Sequence, residues 1–225
     1  MVCHDKRQIR ADPREQIILM KIHFFGAAGS GVTTLGQLLS QQLGINHIDV
    51  DNLTWDHTSR PFDKRLPRAV RKAQLKAAIG AEPQAVVSGS VCGWGDDLID
   101  KFDIGIFLHV PTAERLRRIT LRQTARYGAK AIALGGEHHE QHEELMRWAG
   151  LYDYTGHGAR SYAQHRQWMR KRKFPILTVK GTACSDKVLD VLSPYLFGKQ
   201  AMAHRMTLEL AIDRPTHGHY TLSTS

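Results

Sequence analysis

Residues 26–36 read GAAGSGVTTLG. Gly26, Gly31 and Thr33 stand in the register of the phosphate-binding pattern G-x-x-x-x-G-K-[ST], but Val32 occupies the lysine position. Glycines let a backbone wrap closely around phosphate oxygens. Its N–H groups then converge as a nest, and the helix that follows turns its positive dipole end toward the anion. Gly26, Gly29, Ser30, Gly31, Val32, Thr33 and Thr34 are therefore the candidate phosphate-binding residues, with the Thr33 hydroxyl as a candidate Mg²⁺ ligand. A tight glycine turn between two elements is the alternative.

The flanks suit such a loop. IILMKIHFF (17–25) has the composition of a buried strand and ends at Gly26, while Leu35, Leu38, Leu39 and Leu43 repeat at helical spacing before Gly44. Further along, INHIDVD (45–51), AVVSGS (85–90), DIGIFLHV (103–110) and FPILTVKG (174–181) read as strands. Helical patterns fall at about 52–80, 113–127, 137–152 and 186–196, with a glycine-bounded loop at 128–136. Strands alternating with helices predict an α/β fold with a five-stranded parallel sheet covered on both faces. The expected organisation is a flexible leader at 1–17, one domain at 18–197 and a polar, His-rich tail at 198–225.

Bulk properties narrow the class. With 225 residues, 42% hydrophobic and 24% charged, the chain is long enough for a full core, and disordered or fibrous classes drop out. Its net charge of +9 suits polyanionic ligands, nucleoside polyphosphates among them. Cys3, Cys92 and Cys184 lie far apart with no CxxC pair, so neither a disulfide framework nor a zinc knuckle is expected, and a reducing cytoplasm is the simplest location. The apolar stretch 17–25 is too short to span a bilayer. In EHHEQHEE (137–144) two histidines stand four apart without a third ligand, which favours a solvated helix face over a metal site. WMRKRK (168–173) lacks repeated aromatic spacing and reads as a solvated turn, so nucleic acid is not the expected partner.

Taken in order, GAAGSGVTTLG, HIDVDNLTW, AVVSGSVCGWGDDLIDKFDIGIFLHVPTAERLRR and TVKGT resemble the elements of the P-loop small-molecule kinases, the group with adenylate, shikimate and gluconate kinases. The chain looks most like an adenylate-kinase-like branch, often labelled AAA family ATPase, whose loops resemble GASGSGTSTLG and also lack the lysine. The similarity runs from about Ile18 to Leu196. It implies that Arg118 lies on the adenine base, that Arg122 reaches the phosphates and that Gly181 borders the base. It also implies a lid at about 123–170, with Arg126, Arg160 and Arg166 as phosphate clamps. Arginines suit that task as planar, always-charged, bidentate donors. A solvated basic face is the alternative for any one of them.

On the acceptor side, Asp49 and Asp51 stand two apart, which on a strand directs both carboxylates to one side. One would position an acceptor hydroxyl or bind Mg²⁺ through water. A helix-capping aspartate is the alternative. Gly89, Ser90 and Trp94 either line the acceptor pocket or form a packed turn; Ser88 departs from the family pattern, which places an acid at the end of that strand. The charge missing at Val32 falls to Arg60, Lys64, Arg65 or the lid arginines. The expectation is ATP- and Mg²⁺-dependent phosphoryl transfer to a small nucleotide or hydroxylated metabolite. A catalytically silent nucleotide-binding protein is the alternative.

Overall fold

Alternate side chains of the first strand divide the interior in two. In the computed structural model, which describes residues 20–56, 64–154, 160–182, 185–197, 205–210 and 222–223, β1 (Lys21–Gly26) is buried almost throughout. Ile22 and Phe24 join Leu35, Leu39, Ile106, Leu177 and Leu192 in one core. Phe25 joins Ile48, Leu75, Ile79, Phe107 and Trp168 in the other. A strand buried on both faces reads as a continuous apolar run, and that is why residues 17–25 lack an amphipathic period.

The sheet carries the order β2-β3-β1-β4-β5-β6-β7, built from β2 (Asn46–Asp49), β3 (Ala85–Ser88), β4 (Ile104–His109), β5 (Ile176–Gly181), β6 (Arg205–Leu210) and β7 (Leu222–Ser223). The first six strands are parallel, and the short β7 pairs antiparallel with β6. Six parallel strands replace the expected five. β6 comes from the segment taken as a polar tail: it pairs with β5 along all six residues and buries Leu208. A single edge strand of mixed composition gives too little alternation to stand out in sequence.

Seven α-helices occur among the described residues: α1 (Val32–Leu43), α2 (Arg68–Ala81), α3 (Thr112–Tyr127), the short α4 (Ala129–Ile132), α5 (His139–Gly150), α6 (Tyr162–Arg170) and α7 (Ser185–Phe197). α1 stops at Gly44, which takes a left-handed conformation and donates its N–H to the Ser40 carbonyl. α6 was not expected. It opens on a capping box in which Ser161 and Gln164 satisfy each other's backbone donors, and it buries His165 and Trp168. Trp168 donates its indole N–H to Asp96 at 2.7 Å, so part of the WMRKRK run belongs to the core and not to a solvated turn. None of the described helices is long and apolar enough to cross a membrane.

Candidate phosphate and acceptor site

β1 lies between β3 and β4, where the strand order changes direction, and in parallel sheets ligands bind beyond the carboxyl ends of strands at that point. The 26–31 loop leaves β1 there. Gly29 and Gly31 hold φ of 78° and 92°, and a Cβ on Gly26 would come within 2.6 Å of the Leu108 carbonyl. Within the loop, Ser30 returns both its N–H and its hydroxyl to the Ala27 carbonyl, at 3.1 and 2.7 Å. Gly31 caps α1 with no side-chain bond, so the N-terminal amides of a twelve-residue helix have no side-chain cap. Gly36 allows that helix to sit against the sheet, where an added Cβ would meet His47 Nε2 at 2.9 Å. Thr33 is half-buried in the first turn of α1 and Thr34 is exposed. Val32 packs its side chain against the first core.

α3 runs beside the loop. Arg118 spans the opening, donating to the Ser30 carbonyl at 3.5 Å and to the Thr182 carbonyl at 3.2 Å, with Nε on Glu114 at 2.7 Å. Bonds from Arg117 and Arg118 hold Glu114 down to about 2, so it stays ionised. A small pocket lies behind Arg118, walled by Leu35, Val110, Val179, Gly181 and Val188 and closed by Ser30.

The acceptor candidates divide. β2 ends at Asp49, and Asp51 lies in the turn beyond it, so the two carboxylates are not partners on one strand face. Instead Asp49 accepts the Asp51 N–H at 3.0 Å and shapes the turn. Asp51 is open to solvent and stands in the combined field of Arg160, Arg122 and Arg65. Surrounding protein and the Asp49 charge raise its pKa, and the three arginines oppose that rise. Burial lowers the pKa of Arg160, and Asp51 counters it. Arg65 also lies over the Trp55 ring at 5.0 Å, in a bridge between Trp55 and Arg65.

Other expected residues stand elsewhere. Lys64 turns toward Asp56 at 3.8 Å. Arg126 lies over Tyr127, and Arg166 over Tyr162, at 5.6 and 5.8 Å, both on exposed positions. Arg60 lies outside the described residues. Gly89 holds φ of 106°, and a Cβ there would also meet the Val50 side chain at 2.9 Å. Ser90 and Trp94 face inward: Ser90 lies 2.8 Å from His165 Nε2, and Trp94 donates to the Ser90 carbonyl with Arg71 over its ring. Both are committed to the packed turn. Ser88 is likewise committed, to His47 at 2.9 Å. No group of three metal-ligating side chains occurs among the described residues; His138 lies tilted against the Tyr127 ring at 4.2 Å.

Three buried polar residues were missed. Arg115 is fully buried beneath the loop, His165 joins Ser90 to the Tyr152 hydroxyl at 2.6 Å, and His23 donates to the Gly89 carbonyl at 2.8 Å. Burial pulls His165 down to about 3 and His23 down to about 4, so both are neutral. Arg115 shares a helical face with buried Ile119, a spacing that marks it as inward-facing.

The sheet order and the glycine loop at its switch point define a P-loop α/β fold. The chain belongs to the family of the uncharacterized protein YqaC of Bacillus subtilis (strain 168), with 39% identity over 177 residues, covering 76% of this chain and 97% of that protein. It is also 29% identical over 110 residues to a cytidylate kinase of Thermococcus kodakarensis, covering 44% of this chain and 54% of the other. Among solved structures, shikimate kinase from Acinetobacter baumannii in complex with shikimate superposes with a TM-score of 0.49 at 16% identity, over 84% of this chain and all of that one. Shikimate kinase from Aquifex aeolicus gives 0.41 at 18%, over 80% and 97%. No protein-family model matches the chain.

Proposed function

We propose that the chain is a P-loop phosphotransferase that moves the γ-phosphoryl of ATP to a small acceptor carrying a hydroxyl and an anionic group. The observation that carries this reading is the glycine loop at the switch point of the sheet, with Arg118 across its opening and Asp51 in the field of Arg65, Arg122 and Arg160. A carboxylate there orients and deprotonates a hydroxyl, while guanidinium groups hold an anion and neutralise charge on the transferring group. The 26–31 loop and the start of α1 would hold the phosphates, and the base would lie by Arg118 and Gly181. Thr33 offers one oxygen to Mg²⁺. With Ser88 committed to His47, the remaining ligands would be the nucleotide phosphates and water, an arrangement magnesium accepts.

The similarity to a cytidylate kinase supports the transfer reaction and makes nucleoside monophosphates the first acceptors to try. Placement in an adenylate-kinase-like branch rests on the lysine-less loop. A lid at about 123–170 and a cytoplasmic location belong to the same proposal, with a domain that begins at about residue 18 and extends past 197 to include β6.

The test is ADP release on mixing MgATP with a panel of nucleoside monophosphates and small hydroxy acids, comparing wild type with Asp51→Asn. Turnover with one acceptor, lost in the variant while ATP still binds, is the expected result. Equal turnover in both proteins would remove Asp51 from the reaction.

A further inference from the structure

Beneath the phosphate loop, one guanidinium uses all five of its N–H donors. Arg115 is fully buried; Nε donates to the Val110 carbonyl at 3.0 Å, Nη1 to the Ala28 and Ala149 carbonyls at 3.4 and 3.0 Å, and Nη2 to Thr112 Oγ1 and Asp153 Oδ2, each at 2.9 Å. These acceptors belong to four segments: the loop, the end of β4 with the start of α3, the last turn of α5, and the short helix Leu151–Asp153. A buried guanidinium is tolerated only when its donors are matched and its charge is paired. Asp153 supplies that pairing.

The loop lies directly on this residue, since a Cβ on Gly29 would come within 2.5 Å of the Arg115 carbonyl oxygen. One turn further along α3, Arg118 takes the Ser30 carbonyl. Loop carbonyls 28 and 30 are thus both held from the α3 side. A trans peptide directs its N–H opposite to its carbonyl, so holding carbonyls 28 and 30 outward turns the N–H groups of Gly29 and Gly31 the other way, toward an anion, while the Ser30 N–H stays on Ala27. The salt bridges to Asp153 and Glu114 offset much of the arginines' own charge, so the contribution is one of shape.

The same brace extends away from the loop. Asp153 bonds Arg115, and its neighbour Tyr152 lies under the guanidinium at 5.1 Å while joining His165, which joins Ser90. The structure assigns to Arg115 a positioning role: it presets the lysine-less phosphate loop for its ligand, anchored through residues 152–153 and His165 to the packed turn at Ser90. The assignment rests on the loop being the nucleotide site.

The test compares wild type with Arg115→Lys and Arg115→Met as full-length chains, each held below its melting transition. Hydrogen exchange of amides 26–31 is measured without nucleotide, and MgATP affinity by calorimetry. Lysine keeps the charge but offers three donors in place of the planar fork. Both variants are expected to speed loop exchange and weaken ATP by about tenfold, the size of one lost charge-assisted hydrogen bond, with lysine giving little rescue. Exchange and affinity within about twofold of wild type in the folded variants would overturn the assignment. Asp153→Ala serves if neither variant folds: a smaller rise in loop exchange is expected, and none would contradict the assignment. The exchange arm needs no ligand. A wild type that binds no ATP while its variants still loosen the loop would therefore refute the nucleotide reading and leave the brace standing.

Discussion

The Glu114 carboxylate accepts the Nε–H of Arg118 at 2.7 Å and fixes that guanidinium across the mouth of the phosphate loop. Glu114 also holds Arg117, at 2.8 and 2.9 Å, but Arg117 faces solvent, and only Arg118 continues to the Ser30 and Thr182 carbonyls. Glu114→Gln should therefore leave the fold intact and free Arg118 to leave its station. ATP affinity is expected to fall by about five- to tenfold, the scale of a partly buried charged hydrogen bond. Calorimetry with the variant checks this, and unchanged affinity would remove Arg118 from the base site.

Arg122 is exposed, stands in the field of Asp51, and lies one helical turn beyond Arg118. Its role in the proposed reaction is played on charge that develops during transfer. Arg122→Ala should lower turnover by about a hundredfold or more with only a modest loss of ATP binding. A parallel fall in both would show that it binds the ground state alone.

Val32→Lys restores the pattern residue and tests what the valine does. Because Val32 packs on the first core, the substitution must draw an ammonium out of apolar contact, at about 1 kcal/mol of stability. If arginines have taken over the lysine's work, turnover will not rise. A large gain in turnover would mean that the charge is simply lacking.

The two buried neutral histidines give the protein an acid-sensitive core. Their folded pKa values, about 4 for His23 and about 3 for His165, lie below the unfolded value of 6.5, so the unfolded chain binds more protons between those limits. Their stabilisation is complete above pH 6.5 and declines as pH falls from there toward 4 and 3. Each contributes a slope of up to about 1.4 kcal/mol per pH unit in that window. Urea midpoints measured from pH 7 to pH 4.5 should fall steadily, and His165→Gln should flatten the curve. A flat wild-type profile would show that neither histidine is buried as described.

Much of the fold was legible because its signals are local. The loop after β1, the Gly44 stop of α1, and the end of β4 and start of α3 on either side of Pro111 each follow from a few adjacent residues. β6 and α6 were not: β6 is an edge strand from a polar segment, and the Ser161–Gln164 capping box precedes a helix whose basic residues mask its buried His165 and Trp168. Of the proposed site, Asp51 is singled out by its place after a strand, and Arg118, Arg122 and Arg160 by the family resemblance. Whether Ser90 and Trp94 face a ligand or the core depends on α6, more than 60 residues away in sequence, and no local pattern encodes that distance. Arg115 was hidden for a related reason, since one arginine in a basic helix shows its burial only when the elements packed over it are known.

The most direct measurement is a calorimetric titration of MgATP into the wild-type chain and into Gly31→Val, whose added side chain must adopt a φ of 92° beside Arg118. Saturable binding in the wild type that is lost in the variant is expected, and would establish that the loop holds nucleotide without its lysine. No binding in either, or equal binding in both, would contradict it.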